Sequence, residues 1–114
     1  MSKNEFLEYV LNDAMQGIRG VSAHAMFGAH GLYKDGVIFG IVDEDQLYLK
    51  VDKTNQPEYQ ACQSQPLIYE GKNRKKIALP YWEVPLEVLE DREKLAEWVE
   101  KSTLVSHRAK KTKL

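Results

Sequence analysis

The dipeptide Asp35-Gly36 separates two apolar runs, and this arrangement is among the strongest short-range signals of a β-hairpin. The run before it predicts a strand over residues 23–33, and the run after it predicts a strand over residues 37–42. A turn at residues 43–45 leads into a third predicted strand over residues 46–52. Strands joined by short hairpins pair antiparallel, so this part of the chain is predicted to form a three-stranded meander.

Apolar and polar residues alternate without a break in the third predicted strand. Leu47, Leu49 and Val51 face one way, and Tyr48 and Lys50 face the other. Helices would cover the apolar side of the sheet. Tyr48 and Lys50 are therefore expected on the opposite, open face.

Glycine and proline positions predict where the strands are irregular. Gly28 and Gly31 are expected to break or bend the first strand, because glycine tolerates positive φ. Gly40 lies inside the second strand and indicates a bulge or a close backbone approach, such as a helix crossing the sheet. Pro80 lacks an N–H group, so its strand is predicted to lie at the edge of the sheet or to end there.

Periodicity outside the meander completes the predicted order of elements. Ser2 and Glu5 fit a capping box at the start of the chain, and Asp91 fits the N-cap of the last helix. The further predicted segments are a helix at 2–18 ending near Gly20, a short helix at 55–63 capped from 52–54, strands at 67–70 and 77–82, a helical turn at 85–89 and a helix from 91 to about 108. The order α-β-β-β-α-β-β-α predicts an α+β two-layer sandwich, with a five-stranded antiparallel sheet and helices on one face.

Charges are unevenly distributed along the chain. All 17 acidic residues precede residue 101, whereas five of the 16 lysines and arginines lie after residue 100. The 114 residues fit a single domain, with 1–105 as its body and 106–114 as a basic tail. Cys62 is the only cysteine, and no apolar run suits a signal peptide or a membrane span. We therefore expect a cytoplasmic protein without membrane contact.

No motif typical of catalysis or cofactor binding is recognisable in the sequence. The GAHG stretch at 28–31 matches a GXXG pattern used in RNA binding, but it lies between predicted strands rather than between helices. The candidate metal ligands lack ligand spacing; they are His24, His30, His107 and Cys62. The sequence therefore predicts a non-enzymatic protein without a cofactor or a metal.

Aromatic residues on the predicted strands indicate a candidate interaction surface. An open apolar sheet face is a common dimer surface, whereas aromatics beside lysines on a sheet can also stack on single-stranded nucleic acid. The acidic body favours contact with a protein partner or a second copy of the chain. The predicted contact residues are Tyr33, Tyr48, Lys50, Tyr69 and Tyr81.

Two basic segments support an alternative hypothesis of nucleic-acid binding. One is the predicted loop between the last two strands, and the other is the C-terminal tail. Basic residues at the end of a helix also interact favourably with the helix dipole, so the tail is a weak indication by itself. The candidate polyanion contacts are Lys72, Arg74, Lys75, Lys76, Arg108, Lys110, Lys111 and Lys113.

Several stretches of the sequence resemble the TfoX (Sxy) N-terminal domain family. MFGAHGLY at residues 26–33 is similar to the family signature MFGGxGLY, and PYWEVP at residues 80–85 is similar to MPYYxVP. Further similarity lies in the Asp35-Gly36 turn, in FGIV at residues 39–42 and in LYLKVD at residues 47–52. The resemblance spans nearly the whole chain.

This resemblance implies an α+β fold of the secretion-chaperone-like type, with a five-stranded antiparallel sheet. It also implies a link to bacterial transcriptional regulation, because full-length members regulate natural competence together with a cyclic-AMP-dependent activator and carry a second, helical domain. Since the chain ends at residue 114, it is expected to act as a stand-alone N-terminal-type module. The resemblance implies no catalytic residue and no ligand.

Overall fold

The structure, a computed structural model, describes residues 3–112, with side chains for residues 5–109. The described part contains four α-helices, six strands and two short helical turns. The helices are α1 (Lys3–Tyr9), α2 (Gln56–Ala61), α3 (Leu86–Leu89) and α4 (Arg92–Thr112), with a π-helical turn at Val10–Ala14 and a 3₁₀ turn at Lys72–Arg74. The strands are β1 (Val21–Met26), β2 (Ala29–Lys34), β3 (Val37–Asp43), β4 (Gln46–Lys50), β5 (Pro66–Glu70) and β6 (Lys76–Glu83).

The six strands form one antiparallel sheet in the order β1-β2-β3-β4-β6-β5. The predicted α+β architecture is confirmed, but the predicted number of five strands is wrong. The segment expected to be a single bent strand is the hairpin of β1 and β2. Its turn is Phe27-Gly28, with φ values of +49° and +81°. A tight hairpin turn of type I′ needs positive φ at both central residues, which explains how two residues reverse the chain here.

A bulge in β3 directs the side chain of Phe39 toward the core. Leu32 of β2 pairs with Gly40, but Tyr33 pairs with Ile38, so Phe39 is an extra residue without a partner on β2. Phe39 is fully buried in the core. A Cβ atom on Gly40 would lie 2.8 Å from a carbonyl oxygen of β4. Both the bulge and the close backbone approach predicted at Gly40 are therefore confirmed.

Strand β6 lies inside the sheet, so the prediction that Pro80 marks an edge or an end is wrong. Pro66 pairs with Trp82 and Ile68 pairs with Ala78, which leaves β6 with more residues than β5 across this interval. The irregularity accommodates the missing N–H of Pro80. Its carbonyl still accepts a hydrogen bond of 2.9 Å from the residue after β4. The edges of the sheet are β1 and β5.

Helix α1 is shorter than predicted. It changes into the π-helical turn at Val10–Ala14 and does not continue to residue 18. Gly20, expected to cap the helix, lies beyond its end in a left-handed conformation with φ +77°. There its carbonyl accepts a hydrogen bond from the N–H of Asp35. Ser2 of the predicted capping box lies outside the described residues.

Helix α4 begins at the predicted cap and is longer than expected. The carboxylate of Asp91 accepts a hydrogen bond of 3.1 Å from the N–H of Lys94, which confirms the cap. The helix continues to residue 112 rather than ending near 108, so residues 106–112 of the expected tail are helical. Among the described residues, no helix combines the length and the apolar character needed to cross a membrane.

Asn55, which lies outside the expected caps at 52–54, connects β4 with α2. Its Oδ1 accepts a hydrogen bond of 2.9 Å from the N–H of Asp52, and its Nδ2 donates to the carbonyl of Lys50 at 3.1 Å. The same carbonyl accepts a 2.8 Å hydrogen bond from the hydroxyl of Ser102 in α4. One backbone oxygen at the end of β4 is thus shared by the start of α2 and the middle of α4.

A single hydrophobic core lies between the helices and one face of the sheet. Leu47, Leu49 and Val51 are all buried in it, which confirms the alternation predicted for β4. The helical segments contribute Phe6, Val10, Met15, Tyr59, Val88, Leu95, Trp98 and Val99. The other face of the sheet lies away from this core and is the candidate location of a functional surface.

Candidate interaction surface

Four of the predicted contact residues lie on the face of the sheet opposite the helices. Tyr48 pairs with Glu83 and Lys50 pairs with Tyr81, and Tyr33 of β2 lies on the same face. Lys50 Nζ is 4.8 Å from the centre of the Tyr81 ring, a cation–π distance. Alternation in the sequence was sufficient to predict that Tyr48 and Lys50 lie on this face.

Exposure separates these residues into two groups. Tyr81 is only 8% exposed, so it supports the surface from below and cannot reach a partner. Burial, with a contribution from neighbouring Tyr33, raises the pKa of Tyr81 to about 12. Tyr48 is half-buried, and burial together with nearby Glu83 raises its pKa as well.

We expect the buried tyrosines to titrate late and to stabilise the fold against alkaline pH. Burial raises the pKa of Tyr59 as it does that of Tyr81. Because the folded state binds these protons more tightly than the unfolded state, this stabilisation is fully present below pH about 10 and is lost as pH rises through about 12. An alkaline titration should be followed both by phenolate absorbance and by circular dichroism. A late fraction of the tyrosine ionisation should coincide with the loss of the folded circular dichroism signal.

The variant Tyr81→Phe provides the control for this alkaline titration. It should remove part of the late fraction, because the buried phenol that loses its proton there is absent. Complete titration of all six tyrosines near pH 10, with the circular dichroism of the folded state retained, would contradict the expected protection.

A small cavity opens on this face between the β1–β2 turn and the β5–β6 hairpin. Its volume is about 170 Å³, and Ile41 and Asp43 of β3 also line it. The first hairpin contributes Met26, Phe27 and Ala29, and the second contributes Leu67, Ile68, Tyr69 and Leu79. Because residues of both hairpins line this one cavity, the β5–β6 hairpin lies close to the β1–β2 turn.

Three exposed apolar side chains line the cavity, and a fourth, Ile77, adjoins it as the cross-strand partner of Tyr69. Phe27 is 100% exposed, Tyr69 55%, Ile68 51% and Ile77 49%. These four residues and the cavity are called the Phe27 surface below. They make up four of the six large apolar side chains that are exposed in the described part of the chain; the other two are Leu86 and Leu104. The exposed apolar surface is therefore concentrated at one place, as at interaction sites.

A comparison with known protein families gave a match for this chain. The model of the family described as TfoX N-terminal domain matches residues 13–105. The chain belongs to the TfoX N-terminal domain family. A comparison with curated proteins gave no match.

In this TfoX N-terminal domain, one of the stretches that resemble family motifs forms much of the Phe27 surface. The MFGAHGLY stretch forms the end of β1, the turn and most of β2, and it includes Met26, Phe27 and Ala29 of the cavity. PYWEVP contains Pro80, where β6 is irregular. Phe27 was not among the predicted contacts, because it was assigned to the interior of a single predicted strand over residues 23–33. The signal available in the sequence was the Phe-Gly pair at the centre of a two-residue turn.

The basic residues of the loop between β5 and β6 are brought together at one exposed tip. Lys72, Arg74, Lys75 and Lys76 are all exposed. The loop is compact, because Arg74 and its neighbour Asn73 both adopt positive φ. It lies next to the Phe27 surface, since a Cβ atom added to Gly71, at the start of the loop, would lie 3.5 Å from the ring of Tyr69.

The basic residues of α4 have a different environment. Arg108 Nη2 lies 2.9 Å from Thr54 Oγ1 and 3.3 Å from Asp52 Oδ2, so its charge is paired with a carboxylate. Partial burial raises the pKa of Asp52, but hydrogen bonds from Thr54 and the charge of Arg108 outweigh this and lower it. The side chains of Lys110 and Lys111 are outside the described part, as is residue Lys113 altogether. The described geometry thus groups the loop bases and places Arg108 elsewhere.

The predicted metal-ligand candidates do not form a cluster. Within the described residues, no group of three or more His, Cys, Asp and Glu side chains is placed to hold a metal ion. His24 instead packs edge-on against Tyr33, with ring centres 5.1 Å apart. Cys62 is half-buried beside the core and is a free thiol.

Proposed function

We propose that this TfoX N-terminal domain is a non-enzymatic, cytoplasmic protein-interaction module that acts in bacterial transcriptional regulation. The observation that carries the proposal is the Phe27 surface, where an aromatic ring is fully exposed next to an apolar cavity. Membership of the family supports the link to regulation. The finer proposal is regulation of natural competence through contact with a regulator protein, as the resemblance to full-length members implies.

The conformation of Phe27 supports an interaction role for its side chain. A non-glycine residue in the left-handed region costs about 1–2 kcal/mol, and type I′ turns favour Asn, Asp or Gly. A turn residue chosen for the hairpin alone would be one of these. Full burial of a phenylalanine side chain contributes about 1.5–3 kcal/mol, which only a binding partner can supply here.

The variant Phe27→Gly tests the proposal without threatening the fold. Glycine removes the ring and is the residue that best tolerates the φ of this turn. Affinity capture from a lysate of the host bacterium, followed by quantitative mass spectrometry, should recover a partner with the wild type and lose it with the variant. Leu104→Ser, which removes an exposed apolar side chain on α4, is the matched control and should retain the partner.

The regulatory part of the proposal needs a measurement in cells. In a strain that lacks the gene, the wild type and Leu104→Ser should restore the transcript pattern, and Phe27→Gly should not. Equal restoration by all three proteins would show that the Phe27 surface has no role in regulation. An unchanged transcript pattern after deletion would remove the regulatory proposal itself.

Nucleic-acid binding is the second candidate function, because four basic side chains are grouped at the tip of the β5–β6 hairpin. Four phosphate contacts predict a slope of about −3.6 for log K against log salt on duplex DNA. The paired variant Lys75→Gln/Lys76→Gln should reduce that slope by about half. An affinity that does not change with salt concentration, or that is equal in the wild type and the variant, would argue against this candidate.

A further inference from the structure

We infer that the Phe27 surface binds a second copy of the same chain across a two-fold axis, with the basic β5–β6 loop of each copy against the acidic β3–β4 turn of the other. The inference rests on the proposed interaction function and specifies its partner. The three features that carry it are the exposed ring, the cavity beside it and the opposite charges at two rims of the surface.

Charges of opposite sign lie on different sides of the Phe27 surface. On one side, Asp43 lines the cavity and leads into the exposed residues Glu44 and Asp45 of the β3–β4 turn. On another side, the ring of Tyr69 lies against Gly71, which leads into the basic loop. The surface is therefore apolar at its centre, acidic at one rim and basic at another, as specific interfaces with a polar rim are.

A second copy matches this charge pattern without further assumptions. In a two-fold interface, if a residue i contacts a residue j, then j of the first copy contacts i of the second. When the basic loop of one copy meets the acidic turn of the other, the reciprocal contact forms at the same separation. An unrelated partner would need its own acidic and basic groups at that separation.

The dimensions of the cavity suit an aromatic ring from the second copy. The cavity has a volume of about 170 Å³ and is lined largely by apolar side chains. A dry cavity of about 150 Å³ accepts a molecule of benzene. Phe27 of each copy can thus enter the cavity of the other, and buried aromatic anchors of this kind dominate the affinity of many interfaces.

Charge reversal on the two rims provides the sharpest test. The loop variant Lys72→Glu/Lys75→Glu/Lys76→Glu changes the net charge of the four basic loop positions from +4 to −2, so both rims become acidic. The turn variant Glu44→Lys/Asp45→Lys changes the net charge of residues 43–45 from −3 to +1, so both rims become basic. All five positions are exposed, so the fold should tolerate the changes. Each variant alone should dimerise about tenfold or more weakly than the wild type at low salt, because like charges then face each other. An equimolar mixture of the two should form a heterodimer at near wild-type affinity.

Sedimentation velocity over a concentration series measures all of these states. The wild type should be a dimer, Phe27→Gly a monomer and Leu104→Ser a dimer. A monomeric wild type, a dimer that survives Phe27→Gly, or a mixture that associates no better than its components would each overturn the inference. If the wild type is monomeric but the lysate partner is still lost with Phe27→Gly, the interaction function stands and the second copy is rejected. If that partner is retained as well, both fail.

Discussion

Replacement of Phe39 by alanine is expected to lower the free energy of unfolding by about 3–5 kcal/mol. The ring is fully buried in the core, and the bulge in β3 leaves Phe39 without a pairing partner on β2. Its contribution to stability therefore comes mainly from packing, and the side chains around it cannot close the resulting cavity completely. Urea or guanidinium unfolding followed by circular dichroism measures the change as a lower midpoint at an unchanged slope.

Phe27→Gly is the matched control, since it also removes a phenylalanine from this meander. Phe27 is fully exposed and adopts a left-handed conformation that glycine prefers. At a protein concentration low enough for the wild type to be monomeric, the free energy of unfolding should therefore stay unchanged or rise by up to about 1–2 kcal/mol. A loss of less than about 1 kcal/mol for Phe39→Ala, or losses of equal size in both variants, would contradict the assignment of the two rings.

Gly40→Ala should destabilise the fold by about 1–3 kcal/mol, although it adds only one methyl group. The new Cβ would lie 2.8 Å from the carbonyl oxygen of Tyr48 and 3.1 Å from Leu49 Cδ2. The first of these atoms belongs to the backbone of β4, so β3 and β4 have to separate. Thermal and denaturant unfolding should both record the loss.

Gly17→Ala distinguishes this clash from a general effect of replacing glycine. A Cβ on Gly17 would meet no atom within 4 Å, and its φ is not in the left-handed region. The expected change is within about 0.5 kcal/mol, or slightly stabilising through a less flexible unfolded chain. If Gly40→Ala were as harmless as Gly17→Ala, the close approach of β3 and β4 would be wrong.

Local sequence patterns were sufficient where a single element determines its own conformation. Asp35-Gly36 predicted its hairpin, and alternation predicted which side of β4 is buried. The β1–β2 turn was missed because Phe27 is not a residue that type I′ turns favour. The surrounding hairpin overrides that local preference by pairing Met26 with Ala29.

Features that depend on distant segments could not be predicted from local patterns. Pro80 was wrongly predicted to mark an edge or an end of the sheet, because the extra residues of β6 that accommodate its missing N–H depend on pairing with β5. For the same reason alternation predicted the face on which Tyr81 lies, but not its burial, which depends on the segments that pack over it. Tyr81 is buried and Tyr69 is exposed although both were predicted as contacts.

The order of strands in the sheet also has a consequence for folding kinetics. β1 to β4 are joined by short turns and can pair quickly, because few residues have to be ordered before the first contacts form. β4 and β6 are neighbours in the sheet although α2 and β5 lie between them in the chain. Closing this larger loop costs more entropy before pairing can compensate for it. The rate-limiting step of refolding is therefore expected to be the docking of the β5–β6 hairpin onto a meander that has already formed.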